Sequence, residues 1–194
     1  MWMTTPDAGR SVWLNAILQQ LWPHLNDAIC RILRTGVEAQ LRRIVSGKAG
    51  ITDIVFNEID LGERAPTLAA IKGSDVENAA MLDIDLVWPS QLVARIGVQF
   101  FKGRLTTVPI RLDRVTLRAP FRVTFGPLTG RFPLFEALEI SMLRAPQLDL
   151  NLELIGSSLA SHLGVMPVIE RGINRALCNL MLAPKALHID VMDG

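Results

Sequence analysis

LDIDLVWPSQLVARIGVQF, residues 82–100, alternates apolar and polar side chains in two runs. Leu82, Ile84, Leu86 and Trp88 alternate with Asp83 and Asp85; Leu92, Ala94, Ile96, Val98 and Phe100 alternate with Val93, Arg95, Gly97 and Gln99. A period of two puts each set on one face of a strand. Pro89-Ser90 between the runs predicts a hairpin turn.

The same period continues outward. Downstream of Gly103, Val108, Ile110 and Leu112 share one parity, whereas Val115, Leu117, Phe121, Val123 and Phe125 share the other. A slip near Asp113-Arg114 predicts a bulge, which bends a long strand and helps a sheet curl. Leu148, Leu150, Leu152 and Leu154 alternate with Asp149, Asn151 and Glu153, and Leu187, Ile189 and Val191 form a short closing strand. Between them, Pro133 to Ile140 reads as a short helix or loop. Upstream, Ile51, Val55, Ile59 and Leu61 indicate a strand up to Gly62, and Pro66 to Gly73 a second.

Helical spacing frames these strands. Leu14, Ile17, Leu18, Leu21, Leu25, Ile29 and Ile32 recur every three or four residues behind Ser11, a candidate N-cap. Pro23 removes a backbone donor, so it is expected to kink or break this helix. Gly36 punctuates, Val37, Leu41, Ile44 and Val45 continue, and Gly47 and Gly50 end the run. Gly164 and Pro167 lead into a last helix with Ile169, Ile173, Leu177 and Met181 on its apolar side, stopped by Pro184. Helix, antiparallel strands, helix, strand is an α+β order. Residues 1–10 read as a disordered or added lead-in, and 11–194 as a single domain.

At 49% apolar and 20% charged residues, the chain lies at the apolar end of the range for globular domains. The net charge of +1 comes from scattered Lys and Arg. With no basic stripe interleaved with aromatics, no nucleic-acid partner is expected. Cys30 and Cys178 fall inside apolar helical patterns and read as free buried thiols rather than a disulfide framework.

Catalytic signatures are missing. A phosphate loop would need glycine where Arg42 precedes Gly47-Lys48. His24, His162 and His188 lack ligand spacing to one another or to the cysteines, so no metal or cofactor is expected. His162 near Ser157, Ser158 and Ser161 has no orienting acid, and Asp83, Asp85, Asp149 and Glu153 read as solvated outer-face residues. An apolar inventory without convergent polar chemistry is the profile of a binder, not an enzyme.

Seven segments in order resemble the SMP domain (synaptotagmin-like, mitochondrial, lipid-binding) found in extended synaptotagmins. They are Trp13-Leu14-Asn15 with Leu21-Trp22-Pro23; Leu61-Gly62-Glu63 with Pro66 and Ile71-Lys72-Gly73; Leu82-Asp83-Ile84-Asp85; Phe125-Gly126-Pro127-Leu128; Phe132-Pro133-Leu134-Phe135; Leu143-Arg144-Ala145-Pro146-Gln147-Leu148-Asp149; and Leu180-Met181-Leu182-Ala183-Pro184. Val37 to Gly50 departs from the pattern in length and residues.

The resemblance implies a TULIP-type fold, a highly curved antiparallel sheet wrapped with long helices into an elongated open tube with an apolar groove. It further implies transfer of glycerophospholipids or diacylglycerol between apposed membranes by a peripheral, transiently bound homodimer. The expected location is the cytosolic face of the endoplasmic reticulum at membrane contact sites, anchored by segments outside this chain. The alternative is a dimerising tether with little or no lipid transport. Expected wall residues are Ile84, Leu86, Ile96, Val98, Phe100, Val115, Leu117, Val123, Leu150 and Leu152 from strands, and Val37, Leu41, Ile169, Ile173, Leu177 and Met181 from helices. Trp13 and Trp22 read as packing residues.

Overall fold

The computed structural model describes residues 11–101, 105–155 and 164–191, without the side chains of residues 75 and 105. The expected lead-in at 1–10 and the His162 and serine cluster lie outside the described residues. Helix α1 (Val12–Ile32) runs through a π-helical turn (Leu33–Val37) into α2 (Glu38–Val45). Strands β1 (Ile51–Asp60), β2 (Thr67–Val76), β3 (Ala79–Pro89), β4 (Val93–Phe101), β5 (Leu105–Leu128), β6 (Phe135–Met142) and β7 (Gln147–Leu154) follow. Helix α3 (Met166–Met181) and strand β8 (Leu187–Asp190) close the chain.

All eight strands belong to one antiparallel sheet organised on β5, which is 24 residues long. Along one edge of β5, β4 pairs with Leu105–Asp113 and β3 with Thr116–Phe125, end to end and in the same direction. Along the other edge, β7 pairs over Ile110–Arg118 and β6 over Phe121–Leu128. Each edge is thus one long strand interrupted once. Pro89-Ser90 is therefore not a hairpin turn but a break between two strands in line. It lies opposite the bulge in β5, where Arg114 has φ +49° and the β5–β7 register shifts between Asp113 and Thr116. The extra residue leaves the Val115 carbonyl without a ladder partner at that point, and buried Ser90 supplies its backbone N–H (2.8 Å) and hydroxyl (3.0 Å). Outward from this spine, β1 pairs with β4, β2 with β3, and β8 with β6.

Three further expectations need correction. The Pro133–Ile140 stretch carries β6 from Phe135 onward; Glu, Ala and Leu favour a helix locally, but the free edge of β5 recruits the segment as a strand. In β1, register shifts at Ile51/Asp53 and Phe56/Glu58 change the inward parity, so Ile54 and Phe56 are buried while Val55 is not. Of the kink or break expected at Pro23, the break does not occur: α1 runs continuously from Val12 to Ile32. Ser11 starts that helix through its carbonyl, accepting from the Asn15 N–H at 2.8 Å, with no side-chain cap.

α1 is fastened to the β1–β2 connection by polar side chains. The Asn15 amide exchanges two hydrogen bonds with the Leu68 backbone, and Gln19 accepts from the Ala65 N–H. The Trp22 indole N–H donates to the Gly62 carbonyl at 2.9 Å. Gly62 has φ +75°, and a Cβ there would meet Gln91 Cβ at 2.8 Å, so both conformation and space exclude a side chain. Trp22 also stacks edge-to-face on Trp88, with centroids 5.4 Å apart. It is a packing residue as expected, whereas Trp13 is exposed.

α2 lies on β1 and crosses closely with α3, which reaches β6 and β7. A Cβ at Gly172 would approach Leu41 Cδ1 to 2.6 Å and Val45 Cγ1 to 2.9 Å. Leu41, Val45, Ile169 and Ala176 are fully buried against Ile54, Ile96, Val98 and Ile110, which makes this end the hydrophobic core.

Candidate functional site

Strand register extends the core-facing side of the sheet beyond that core. Leu82, Val123, Ile140 and Leu187 form one rung across β3, β5, β6 and β8. Ile84, Phe121 and Met142 form the next, flanked by Ile71 of β2. Leu86 with Ala119, then Trp88 with Leu117 and Leu148, complete the run toward the core. Every side chain in these rungs is apolar. Apart from Ala119, Trp88 and Met142 they are half-buried, neither closed off nor exposed. Helix packing fills one half of the concave face and leaves the other as an open apolar trough.

The opposite face of the same strands is polar. Arg122 donates to both Asp83 oxygens, at 2.7 and 2.8 Å. This hydrogen-bonded ion pair holds the Asp83 carboxyl below its usual range, against a smaller opposing effect of burial, and holds Arg122 above its own. Glu139 faces His188 at 3.3 Å across β6 and β8. Alternation therefore separates a solvated outer surface from an apolar inner one.

The expected wall residues divide between the two halves. Val37, Leu41, Ile96, Val98, Phe100, Val115, Ile169 and Ile173 lie in the filled core. Leu86, Leu117, Leu150, Leu152 and Leu177 are half-buried and border that core. Ile84 and Val123 are half-buried and stand outside it, in the open half; Met181, the last residue of α3, is half-buried and outside the core cluster. Leu82, Phe121, Phe125, Leu138, Ile140 and Leu187 share the same inner face and were not among the expected set. The parity of Leu82, Phe121 and Phe125 was already visible in the alternation; Leu138 and Ile140 were hidden by the helix-or-loop reading of their segment.

A separate cleft of ≈ 560 Å³ lies between α2 and α3, lined by Ile44, Lys48, Val168, Arg171, Gly172, Asn174, Arg175 and Cys178 with Ala145. None of the expected wall residues lines it. Its rim is cationic, unlike the apolar trough. Cys30 and Cys178 are free and half-buried, and burial pushes the Cys30 thiol up, away from reactive thiolate. Among the described residues, no three His, Cys, Asp or Glu side chains converge as metal ligands, and no helix is long and apolar enough to cross a membrane.

This architecture has relatives. Synaptotagmin-1 of Arabidopsis thaliana is 28% identical over 195 residues, a match that takes in the whole of this chain and 35% of that protein. The chain thus spans about a third of the length of this curated relative. Among solved structures, extended synaptotagmin 2, comprising its SMP domain and two C2 domains, superposes with a TM-score of 0.72 at 20% identity, over 93% of this chain and 38% of that one. Mmm1 superposes with a TM-score of 0.62 at 14% identity, over 92% of this chain and 83% of that one. These likenesses establish the TULIP-type fold. Residues 7–190, nearly the whole of the chain, match the Synaptotagmin-like mitochondrial-lipid-binding domain family, and the chain belongs to that family of lipid-binding domains.

Proposed function

We propose that this domain carries glycerolipids, either glycerophospholipids or diacylglycerol, between apposed membranes. The observation that supports the reading is the trough of half-buried apolar side chains on the inner face of β3, β5, β6 and β8. Ile84, Leu86, Leu117, Val123, Leu150, Leu152, Leu177 and Met181 serve as its wall. Val37, Leu41, Ile96, Val98, Phe100, Val115, Ile169 and Ile173 serve as the packed support behind it.

The energetics suit a carrier without an energy source. Each buried CH₂ is worth about 0.8 kcal/mol relative to water, so two acyl chains of about 15 carbons resist transfer into water by on the order of 20 kcal/mol. A bilayer interior and an apolar trough are similar environments, so exchange between them is nearly balanced. The trough lowers the barrier and leaves the equilibrium to the lipid gradient. An open seam keeps the headgroup in water, which avoids burying a charge and gives weak headgroup selectivity. The reading requires no bond to be made or broken, so the domain acts as a carrier and not as an enzyme.

By likeness to the extended synaptotagmins, the domain works as a homodimer at contact sites on the cytosolic face of the endoplasmic reticulum, held there by segments outside this chain. Native mass spectrometry with organic extraction tests lipid carriage: one or two glycerophospholipids per chain are expected. A clean apo mass with no uptake of fluorescent phospholipid would overturn it in favour of a dimerising tether. Ile84→Trp is expected to abolish lipid transfer between vesicles while leaving the fold intact.

A further inference from the structure

At the far end of the trough, exposed apolar side chains from separate stretches of chain come together. Val76, at the tip of the β2–β3 hairpin, is 50% exposed; in the β5–β6 connection Leu128 is 43%, Leu134 56% and Phe132 91% exposed. The Leu128 N–H donates to the Asn78 carbonyl at 3.0 Å, which ties the two tips together. On the same side, the Val191 N–H donates to the Glu136 carbonyl and brings the exposed end of β8 alongside.

The protruding loop is built, not slack. The Thr129 N–H donates to the Leu134 carbonyl (2.8 Å), the Leu134 N–H to the Arg131 carbonyl (2.6 Å), and the Thr129 hydroxyl to the Arg131 carbonyl (3.0 Å). Phe125 and Phe135 stack edge-to-face at its base, 5.2 Å apart. Leu134 is held at φ +78°, a left-handed conformation that disfavours a branched side chain. Phe132 stands 91% exposed on this hydrogen-bonded loop.

Three features identify what receives that ring. The patch is a set of loop and strand ends, with Val76, Leu128, Phe132 and Leu134 joined by Ile189 and Val191 at the end of β8, and its most exposed member is an aromatic ring on a projecting loop. Its charged neighbours are Arg131 against Glu77, Glu136 and Asp190, a net negative set that favours a neutral surface over an anionic one. It also continues the trough: the last inner rung before it is apolar across β3, β5, β6 and β8, with Ala80, Phe125, Leu138 and Ile189, and ends in register with Asp75 on the outlying strand β2. Aromatic and aliphatic side chains on such a tip match the headgroup–acyl boundary of a bilayer.

We propose that this end is a bilayer-docking tip. Phe132 and Leu134 enter the lipid interface, with Val76 and Leu128 beside them, and set the open end of the trough against the membrane. The tip's use as a lipid doorway rests on the lipid-carrying reading above; the docking itself does not.

Co-sedimentation of the chain with neutral phosphatidylcholine vesicles at low and high salt tests it, with bound lipid and oligomeric state measured on the same samples. Wild type is expected to bind with little dependence on salt. Phe132→Asp should weaken binding on the order of tenfold, with lipid content, melting temperature and oligomeric state unchanged. Val76→Asp, on a separate stretch of chain, should weaken it too. Absence of wild-type binding, equal binding by Phe132→Asp, or a dimer that Phe132→Asp dissociates would each overturn the docking tip, the last by making it a contact between copies. Tip-dependent vesicle binding by a chain that never holds lipid would support the tip and remove the carrier reading instead.

Discussion

The two halves of the concave face are made of the same strands with the same alternation, and they end differently. Under α2 and α3, Ile54, Ile96, Val98 and Ile110 keep almost no surface. At the same depth in the sheet but beyond the helices, Leu82, Ile84, Val123 and Ile140 keep part of theirs. Side-chain chemistry does not separate the groups, since both are Leu, Ile and Val. What differs is the element across from them: a helix pair brought close by Gly172 in one half, and in the other the end of α3, which meets β6 at Met142. Apolar alternation fixes which face turns inward, and helix placement fixes whether that face is filled or left for a ligand.

Truncation should separate the halves most strongly. Ile96→Ala removes a fully buried side chain from the core and is expected to cost about 2–5 kcal/mol in denaturant unfolding. A cost like that of a surface site would break the distinction between filled and open halves. Gly172→Ala is expected to cost about 1–3 kcal/mol, because Leu41 and Val45 are themselves buried and have nowhere to retreat. Ile84→Ala or Val123→Ala should cost under about 1 kcal/mol, since part of each side chain already faces the open trough. Loss of a lipid adduct with little loss of stability in these variants would sharpen the contrast.

The smallest effect belongs to the outer face. The Arg122 ion pair lowers the folded-state pKa of Asp83, so its contribution to stability is present above the unfolded carboxylate range and disappears as pH falls through the folded value. Asp83→Asn should therefore unfold slightly more easily than wild type at neutral pH, with the difference closing in acid; screening at this half-exposed site keeps it small. An acid titration of both proteins by circular dichroism checks the sign.

Much of this was legible in the sequence because alternation is a local signal. The inner parity of β3, β4 and β7 and the bulge at Asp113-Arg114 came directly from it. The site was half legible for the same reason: periodicity names the face that turns inward, while the split between core and trough depends on where α2 and α3 settle, a long-range outcome. The errors share that origin. Pro89-Ser90 carries turn chemistry, yet β3 and β4 find β5 rather than each other, because β5 is long enough to receive both. The β6 segment contains good helix formers and becomes a strand only because an edge of β5 was available. In β1, two irregularities moved the buried set to a parity that a strict period of two cannot anticipate.

The interruptions along β5 lie at different heights: one at Ser90–Leu92 beside the bulge, the other at Leu143–Pro146, where the Leu143 N–H still reaches the Pro120 carbonyl at 2.9 Å. Each gap is spanned only on the opposite edge, the first by β7 (Ile110–Arg118) and the second by β3 (Thr116–Phe125), so β5 is the one strand that runs unbroken past both from the packed end to the trough end. A shell cut along such lines bends more easily than an intact one. The trough end can splay to admit a bulky guest, pivoting on β5, while the packed end keeps its shape. Amide hydrogens should then exchange in two blocks, earlier in β2, β3 and β6 than in β1 and β4.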